Sequence, residues 1–153
     1  MSEALTVLAP VPGRALAMSE VPDPVFAGAM VGPGAAVDPV RESIDAIAPI
    51  SGTIAKLHPH AFVITTADGA GVLVHLGIDT VQLKGEGFEL LAQEGSEVEA
   101  GTPLVRWNPA DIEAGGRSPV SPVVALDAEA DAVTEIRTSG DVAVGDPLFV
   151  WRR

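Results

Sequence analysis

The stretch GVLVHLGIDTV, Gly71 to Val81, is an apolar run with a single histidine, His75, in its middle. Short runs rich in β-branched residues and bounded by turn residues are typical of β-strands, and Val72–Leu76 predicts one here. Runs of the same kind recur and predict further strands at Leu5–Ala9, Gly52–Leu57, Phe62–Thr66, Pro103–Trp107, Pro122–Leu126, Val133–Arg137 and Pro147–Trp151. Many short strands of this kind favour an all-β sandwich or barrel.

The turn residues indicate the same fold class. The chain has 16 glycines and 13 prolines, and clusters such as Asp68-Gly69 and Gly115-Gly116 separate the apolar runs. We expect helix only as single turns, at Asp38–Ser43 and at Pro109–Ala114, where Asn108 is a good N-cap.

Two segments of the sequence have a second copy within the chain. VLAPVPG, residues 7–13, is similar to AIAPISG, residues 46–52, with Ala-Pro-x-x-Gly in both. EGSEVEAGTPL, residues 94–104, is similar to SGDVAVGDPL, residues 139–148, with a one-residue slip. We infer a duplicated β unit that closes on itself, which also protects strand edges.

Composition sets further bounds on the protein. The 153 residues suffice for one domain, 1–153, and 47% hydrophobic residues allow a real core. A net charge of −12 with scattered basic residues argues against a nucleic-acid partner and favours a basic protein partner. The absence of cysteine excludes disulfides and cysteine–zinc sites. We see neither a signal peptide nor the ~20-residue apolar run of a membrane span, and expect a cytoplasmic monomer whose first few residues are mobile.

His60 and His75 lie on either side of a predicted hairpin turn, residues 66–70. A turn centred between its second and third residues would make the two histidines face each other, with Cβ atoms ~5 Å apart. A two-residue Asp68-Gly69 turn would instead make Phe62 face His75, with His60 diagonal to it at ~7–8 Å. Both registers put the two rings on one face of the sheet, whereas an odd-length loop would separate them.

Two close imidazoles have three interpretations. A structural pair is disfavoured, because it loses hydration and gains only hydrogen bonds. A metal site is the second, since imidazole is a common zinc ligand. In the third, one neutral ring is a nucleophile and the other donates a hydrogen bond to the charge that develops. The sequence has no G-x-x-x-x-G-K-[ST] loop with which to hold ATP.

Several of these segments resemble one known family. VHLGIDTV (residues 74–81) followed by LKGEGF (83–88) is similar to the signature of the glucose-type enzyme IIA of the bacterial phosphotransferase system. Other segments resemble its N-terminal segment, its next strand, its supporting-histidine motif and its C-terminal hairpin: VPDPVFA (21–27), APISGTI (48–54), HAF (60–62), and TSG (138–140) with GD (145–146). The resemblance runs from about Leu5 to Val150.

This resemblance implies a fold and a reaction. The fold would be an antiparallel β-sandwich of the duplicated barrel-sandwich type (the duplicated hybrid motif) with only short helical turns. The activity would be that of a phosphotransferase: His75 accepts a phosphoryl group on Nε2 from the carrier protein HPr and passes it to the IIB domain of a glucose- or N-acetylglucosamine-type permease. His60 would stabilise the phosphohistidine, and the Gly77 carbonyl would hold the Nδ1 hydrogen of His75. No cofactor is implied.

The resemblance also implies a docking face for these partners. Asp79 would lie on its acidic rim, with Leu73, Ile78 and Val81 as apolar contacts for a basic and apolar carrier. These contacts should be transient, because the phosphoryl group must move on.

The chain departs from the family pattern at three places. The family usually has threonine two residues before the supporting histidine, where this chain has His58; His58 either replaces it in a relay or is simply exposed. The segment KLHPH, residues 56–60, is shorter than in the family. Pro33 stands where an acidic residue is common in the V-G-x-G loop, which bears on partner affinity.

A zinc hydrolase is the alternative function. His58 and His60 have H-x-H spacing, and His75 and Asp79 have H-x-x-x-D spacing, which resembles the ligands of lysostaphin-type peptidases in reversed order. The cluster His58/His60/His75 would then bind the metal. Even in a phosphocarrier, we expect that zinc is able to bind opportunistically between His60 and His75.

A carrier module of the biotinyl or lipoyl kind is a third class of function. Such a module needs a lysine at an exposed hairpin tip, in a setting similar to Met-Lys-Met. Lys56 and Lys84 have no such setting, so this class is disfavoured.

Overall fold

Short antiparallel strands carry the fold in the computed structural model, which describes residues 4–28 and 30–152. Within these residues the strands are β1 Ala4–Leu8, β2 Gly13–Ala17, β3 Gly34–Pro39, β4 Ile44–Ile47, β5 Gly52–His58, β6 Ala61–Thr65, β7 Gly71–His75, β8 Phe88–Leu90, β9 Glu97–Val98, β10 Pro103–Trp107, β11 Ser121–Ala125, β12 Val133–Thr134, β13 Asp141–Val142 and β14 Pro147–Arg152. Two short helices, α1 Pro24–Ala27 and α2 Pro109–Ala114, and 3₁₀ turns at Met18–Glu20, Thr80–Leu83 and Ala130–Ala132 lie between them. The mobility predicted for the first few residues falls on residues 1–3, which lie outside the described residues.

His75 lies at the end of a central strand of the largest sheet. Eight strands form this sheet in the order β13-β2-β3-β11-β7-β6-β5-β9. The strand β7 pairs antiparallel with β6 on one side and with β11 on the other. Two three-stranded sheets, β1-β14-β12 and β4-β10-β8, accompany it in the described part of the chain. The predicted fold class, an antiparallel β-sandwich with only short helical turns, is confirmed.

Backbone hydrogen bonds support the internal duplication. In the first copy, Ala9 exchanges two backbone hydrogen bonds with the loop 145–146, at 2.7 and 2.9 Å. In the second copy, Ala48 exchanges two with the loop 101–102, both at 2.9 Å. Each Ala-Pro segment also donates a backbone N–H to the proline carbonyl of the other. The two copies of each repeated segment are therefore equivalent in structure and are related by an approximate local two-fold axis.

Alternation along β7 decides which way His75 points. Val72 and Val74 are fully buried in the main apolar cluster, where complete burial of a valine contributes roughly 1.5–3 kcal/mol. Leu73 and His75 therefore point to the opposite face of the strand. On that face Leu73 packs on a smaller apolar cluster formed by the N-terminal segment, the loop after β7 and β11. The strand period thus places His75 at the edge of this smaller cluster.

The predicted helix Pro109–Ala114 is confirmed, together with its cap. The Oδ1 atom of Asn108 accepts a hydrogen bond from the backbone N–H of Ala110 at 2.9 Å, and proline occupies the first helical position. In the described residues, no helix is long and apolar enough to cross a membrane.

Two predictions about the strands and turns need correction, and some strands were not predicted. Asp38–Ser43 forms no helical turn, because β3 continues to Pro39. The strand predicted at Val133–Arg137 ends at Thr134, because Glu135 has a φ of 51° and left-handed backbone ends a strand. The strands β2 and β3 escape prediction because their sequences, GRALA and GAAVDP, are rich in residues of low strand propensity.

Candidate active site

His75 is held at the end of β7 by a hydrogen bond from its own ring. Its Nδ1 atom lies 2.5 Å from the carbonyl oxygen of Gly77. A carbonyl oxygen only accepts, so Nδ1 carries the hydrogen and Nε2 is the unprotonated nitrogen of the neutral ring. This is the tautomer that the role predicted for Gly77 requires.

The loop after His75 is shaped so that this carbonyl stays in place. Gly77 has a φ of 87°, and a Cβ there would lie 2.7 Å from Cγ2 of Thr80 and 3.1 Å from the carbonyl oxygen of Ser118. Oγ1 of Thr80 donates to the carbonyl of Leu76, and the N–H of Ile78 donates to the carbonyl of Ser118, each at 2.8 Å. Only glycine fits this position without strain.

His60 reaches His75 by a route that neither predicted register describes. Ala61 faces His75, because the loop 66–70 between β6 and β7 has an odd length. In that register, positions 60 and 75 lie on opposite faces of the sheet. The ring centroids of His60 and His75 are nevertheless only 5.2 Å apart, with an angle of 70° between the ring planes. His60 belongs to the turn between β5 and β6 rather than to a strand, and its carbonyl accepts from the N–H of Leu76 at 2.7 Å. The histidines meet, but through the turn.

His58 is the last residue of β5, and its ring stacks on that of His60. The two ring centroids are 5.8 Å apart and the planes are inclined by 21°. His58 is exposed, but it is also the outer member of a row of three imidazoles with His60 in the middle.

Burial lowers the pKa of both His60 and His75 below the ordinary value of 6.5, because a low dielectric disfavours the charged ring. The charges of His75 and His58 lower the pKa of His60 further. For His75, the backbone hydrogen bond and then the carboxylates of Asp23 and Asp79 raise the pKa and oppose the effect of burial. Both rings are therefore mainly neutral at pH 7, as a nucleophile and a neutral donor require.

A short helix covers one side of His75, and no role for its residues was predicted from the sequence. Oδ1 of Asp23 caps α1 by accepting from the N–H of Val25 at 2.9 Å, with Pro24 in the first turn. The helix brings the ring of Phe26 to 5.5 Å from that of His75, centroid to centroid. The Asp-Pro dipeptide, a helix-start signal, was the clue in the sequence.

The residues predicted to contact a partner differ in exposure. Val81 is 57% exposed and Asp79 is exposed, while Leu73 is half-buried. Ile78 is only 5% exposed and belongs to the smaller apolar cluster, so the expectation that it offers a contact surface is corrected. Val25 on α1 is 46% exposed and adds an apolar group that was not predicted from the sequence.

Residues 4–28 and 30–152 contain no group of three or more His, Cys, Asp or Glu side chains placed to hold a metal ion. A catalytic zinc normally takes three protein ligands and keeps one position open. The histidine cluster His58/His60/His75 therefore gives the zinc-hydrolase alternative no support.

The fold and the two neutral histidines together define a class: a β-sandwich protein with a histidine whose free Nε2 is suited to nucleophilic group transfer. The family model described as phosphoenolpyruvate-dependent sugar phosphotransferase system, EIIA 1, matches residues 5–130. The chain belongs to this family, and the enzyme class predicted from the sequence follows from the membership.

Similar proteins point the same way. The glucose-specific EIIA component of Staphylococcus aureus is 36% identical over 95% of this chain and 88% of its own length. The N-acetylglucosamine-specific EIICBA component of Klebsiella pneumoniae is 39% identical over 94% of this chain, which spans only 22% of that relative. Among solved structures, glucose permease IIA from Mycoplasma capricolum matches with a TM-score of 0.86 and 36% identity, over 97% of this chain and 96% of the other.

Proposed function

We propose that this chain is the EIIA phosphocarrier of a sugar phosphotransferase system and that His75 carries the phosphoryl group. The hydrogen bond from Nδ1 of His75 to the Gly77 carbonyl, at 2.5 Å, is the observation that supports this most directly. It leaves the Nε2 lone pair available for attack, and the lowered pKa keeps the ring neutral near pH 7.

The reaction consists of two displacements at one phosphorus atom. Nε2 of His75 attacks the phosphorus of phosphohistidine on HPr, and the new N–P bond forms as the bond to the HPr ring breaks. HPr leaves with a neutral imidazole, because the second nitrogen of its phosphohistidine ring carries a proton, and the His75 ring keeps its own Nδ1 hydrogen and becomes a phosphoimidazolium. In the second step a nucleophile of the IIB domain attacks the same phosphorus, and His75 regains its free Nε2. The donor is itself a phosphoprotein, so no nucleotide is needed.

His60 is the supporting residue in this proposal. Its neutral ring has one N–H to donate, 5.2 Å from the His75 ring, centroid to centroid. A donor so placed stabilises charge on the phosphoryl oxygens during transfer. His58, stacked on His60, takes the place of the family's threonine behind it.

The surface around His75 is suited to a basic and apolar partner. Val81, Val25 and the partly buried Leu73 supply apolar contact, and Asp23 and Asp79 supply negative charge close enough to act on the His75 ring. We infer that HPr and IIB dock here in turn, each briefly.

The destination of the phosphoryl group is a permease of the glucose or N-acetylglucosamine type. These are the specificities in the names of the two similar proteins from S. aureus and K. pneumoniae. We infer a cytoplasmic monomer that needs no cofactor. A Zn²⁺ ion bound opportunistically between His60 and His75 would compete with the phosphoryl group for Nε2.

Phosphorylation in a reconstituted system tests this function. The protein is incubated with phosphoenolpyruvate, enzyme I and HPr, and its intact mass and acid lability are measured, beside His75→Ala and His60→Ala. We expect one acid-labile phosphoryl group on the wild type, none on His75→Ala, and one on His60→Ala, because His60 supports the transfer without accepting. A wild type that gains no mass, or a His75→Ala variant that still gains it, contradicts the proposal.

A further inference from the structure

The turn that carries His60 has an unusual form for its length. β5 ends at His58 and β6 begins at Ala61, and these two residues pair, so Pro59 and His60 are the only residues in the turn. Two-residue hairpin turns are usually of type I′ or II′, whose twist matches that of the strands. Both types need positive φ at the first central residue, which the proline ring forbids.

His60 does not adopt positive φ either. In the described residues, the non-glycine positions with positive φ are Asp79, Lys84, Asp127 and Glu135. Negative φ at both central residues excludes types I′ and II′ and is shared by type I, which favours proline at the first of them. Near this turn the β5–β6 register shifts between Ile54 and Lys56, a bulge of the kind that adjusts strand twist.

Two contacts lock this turn against the His75 end of the sheet. The carbonyl of His60 accepts from the N–H of Leu76 at 2.7 Å. On the other side, Pro59 packs against Gly85: a Cβ at Gly85 would lie 3.2 Å from Cγ of Pro59. Gly85 has a φ of 87°, so its conformation and its small size both make room for the proline ring.

We propose that Pro59 is a positioning residue, which sets the His60 ring against His75 by excluding the turn types that a two-residue hairpin otherwise prefers. Histidine tolerates left-handed backbone better than most residues, so without proline the turn is free to change type and carry the His60 ring away. The proposal rests on the proposed function for its effect on phosphoryl transfer, but not for its effect on geometry.

The test uses Pro59→Gly and Pro59→Ala in the full chain. Glycine opens positive φ fully and alanine opens it only partly, so the effects should be graded. We expect weaker NOEs between the ring protons of His60 and His75 in the unphosphorylated protein, most so for Pro59→Gly. Phosphoryl transfer from His75 to IIB should fall about five- to tenfold, since small misplacements of a supporting group slow a reaction strongly.

A double-mutant cycle separates positioning from a general loss of structure. In a His60→Ala background, Pro59→Gly should cause no further fall in the rate of phosphoryl transfer from His75 to IIB, the rate that it lowers in the wild-type background. Pro147→Ala, at the exposed start of β14, is the matched control, with unchanged rates. Gly85→Ala, which crowds Pro59 from the other side, should weaken the same NOEs.

Unchanged NOEs and transfer rates in both Pro59 variants would overturn the proposal. So would an equal rate loss in the His60→Ala background, because Pro59 would then act through some other group. If the wild type takes no phosphoryl group, the proposed function fails, and the NOEs still decide the role of Pro59.

Discussion

The carbonyl oxygen of Gly77 decides which nitrogen of His75 is able to react. It accepts the Nδ1 hydrogen at 2.5 Å, and the left-handed backbone of Gly77 holds that oxygen where a side chain would clash with Thr80. Backbone geometry and burial thus prepare His75 for the role proposed for it, and the nearby carboxylates of Asp23 and Asp79 limit how far its pKa falls.

The lowered pKa values of His60 and His75 predict a dependence of stability on pH. Because the folded state favours the neutral rings, the unfolded state binds more protons as the pH drops through the ordinary value of 6.5. The contribution of these rings is full above that pH and is lost as the pH falls toward their lowered pKa values. Urea unfolding at pH 7.5 and 5.5 measures it.

The control for this prediction is the double variant His60→Gln/His75→Gln. It should lose less stability than the wild type over the same pH interval, because the carboxylates elsewhere in the chain are common to both proteins. Equal losses would show that the two rings titrate alike in the folded and unfolded states.

At the scale of elements, the four-residue helix α1 does two things for the site. Its N-cap, Asp23, organises the helix by accepting from the N–H of Val25, and the helix brings Phe26 against His75. The same Asp23 carboxylate raises the pKa of His75. One side chain therefore combines a structural and an electrostatic role, and a pair of substitutions separates them.

Asp23→Asn should retain the cap and remove the charge, since asparagine caps about as well as aspartate. We expect the pKa of His75, followed by NMR, to fall while the unfolding free energy changes little. Asp23→Ala should lower the pKa in the same way and also cost about 1 kcal/mol of stability through loss of the cap. An Asp23→Asn variant whose His75 titrates as in the wild type would show that the carboxylate does not act on the ring.

At the scale of the whole molecule, the negative charge of −12 is a long-range feature. Such a field attracts a basic partner before contact and raises the association rate, an effect that salt screens. The transient docking inferred above depends on fast association, because each partner has to leave again after transfer.

We expect the association rate with phospho-HPr to fall on the order of tenfold or more between low salt and ~0.5 M salt. Stopped-flow phosphoryl transfer at several salt concentrations measures it. Asp79→Asn, beside His75, should reduce the salt dependence. The matched control is Asp127→Asn, on the exposed turn after β11. This turn lies at the end of β7 opposite His75, since the backbone N–H of Leu126 donates to the carbonyl of Gly71. An equal effect of both substitutions would contradict local steering at the site.

Much of the fold followed from the sequence alone. Apolar β-branched runs predicted β5, β6, β7, β10 and β11 to within a residue at each end, because alternating burial of such side chains favours strands. The two Ala-Pro echoes predicted the duplication, and the Asn108-Pro109 start signal predicted α2. The histidines, and the segments that resemble a known family, indicated the chemistry before any geometry was available.

Tertiary structure decided what depends on contacts distant in the sequence. The odd-length loop 66–70 set the register that places Ala61 opposite His75. Residue propensities do not determine whether a loop contains an odd or an even number of residues. The alanine- and glycine-rich β2 and β3 become strands because they pair with each other and with β11 deep in the sheet. His60 meets His75 only because a proline turn is locked on the loop after β7. Local sequence sets which conformations are available to each segment, whereas packing between segments selects the one that forms the site.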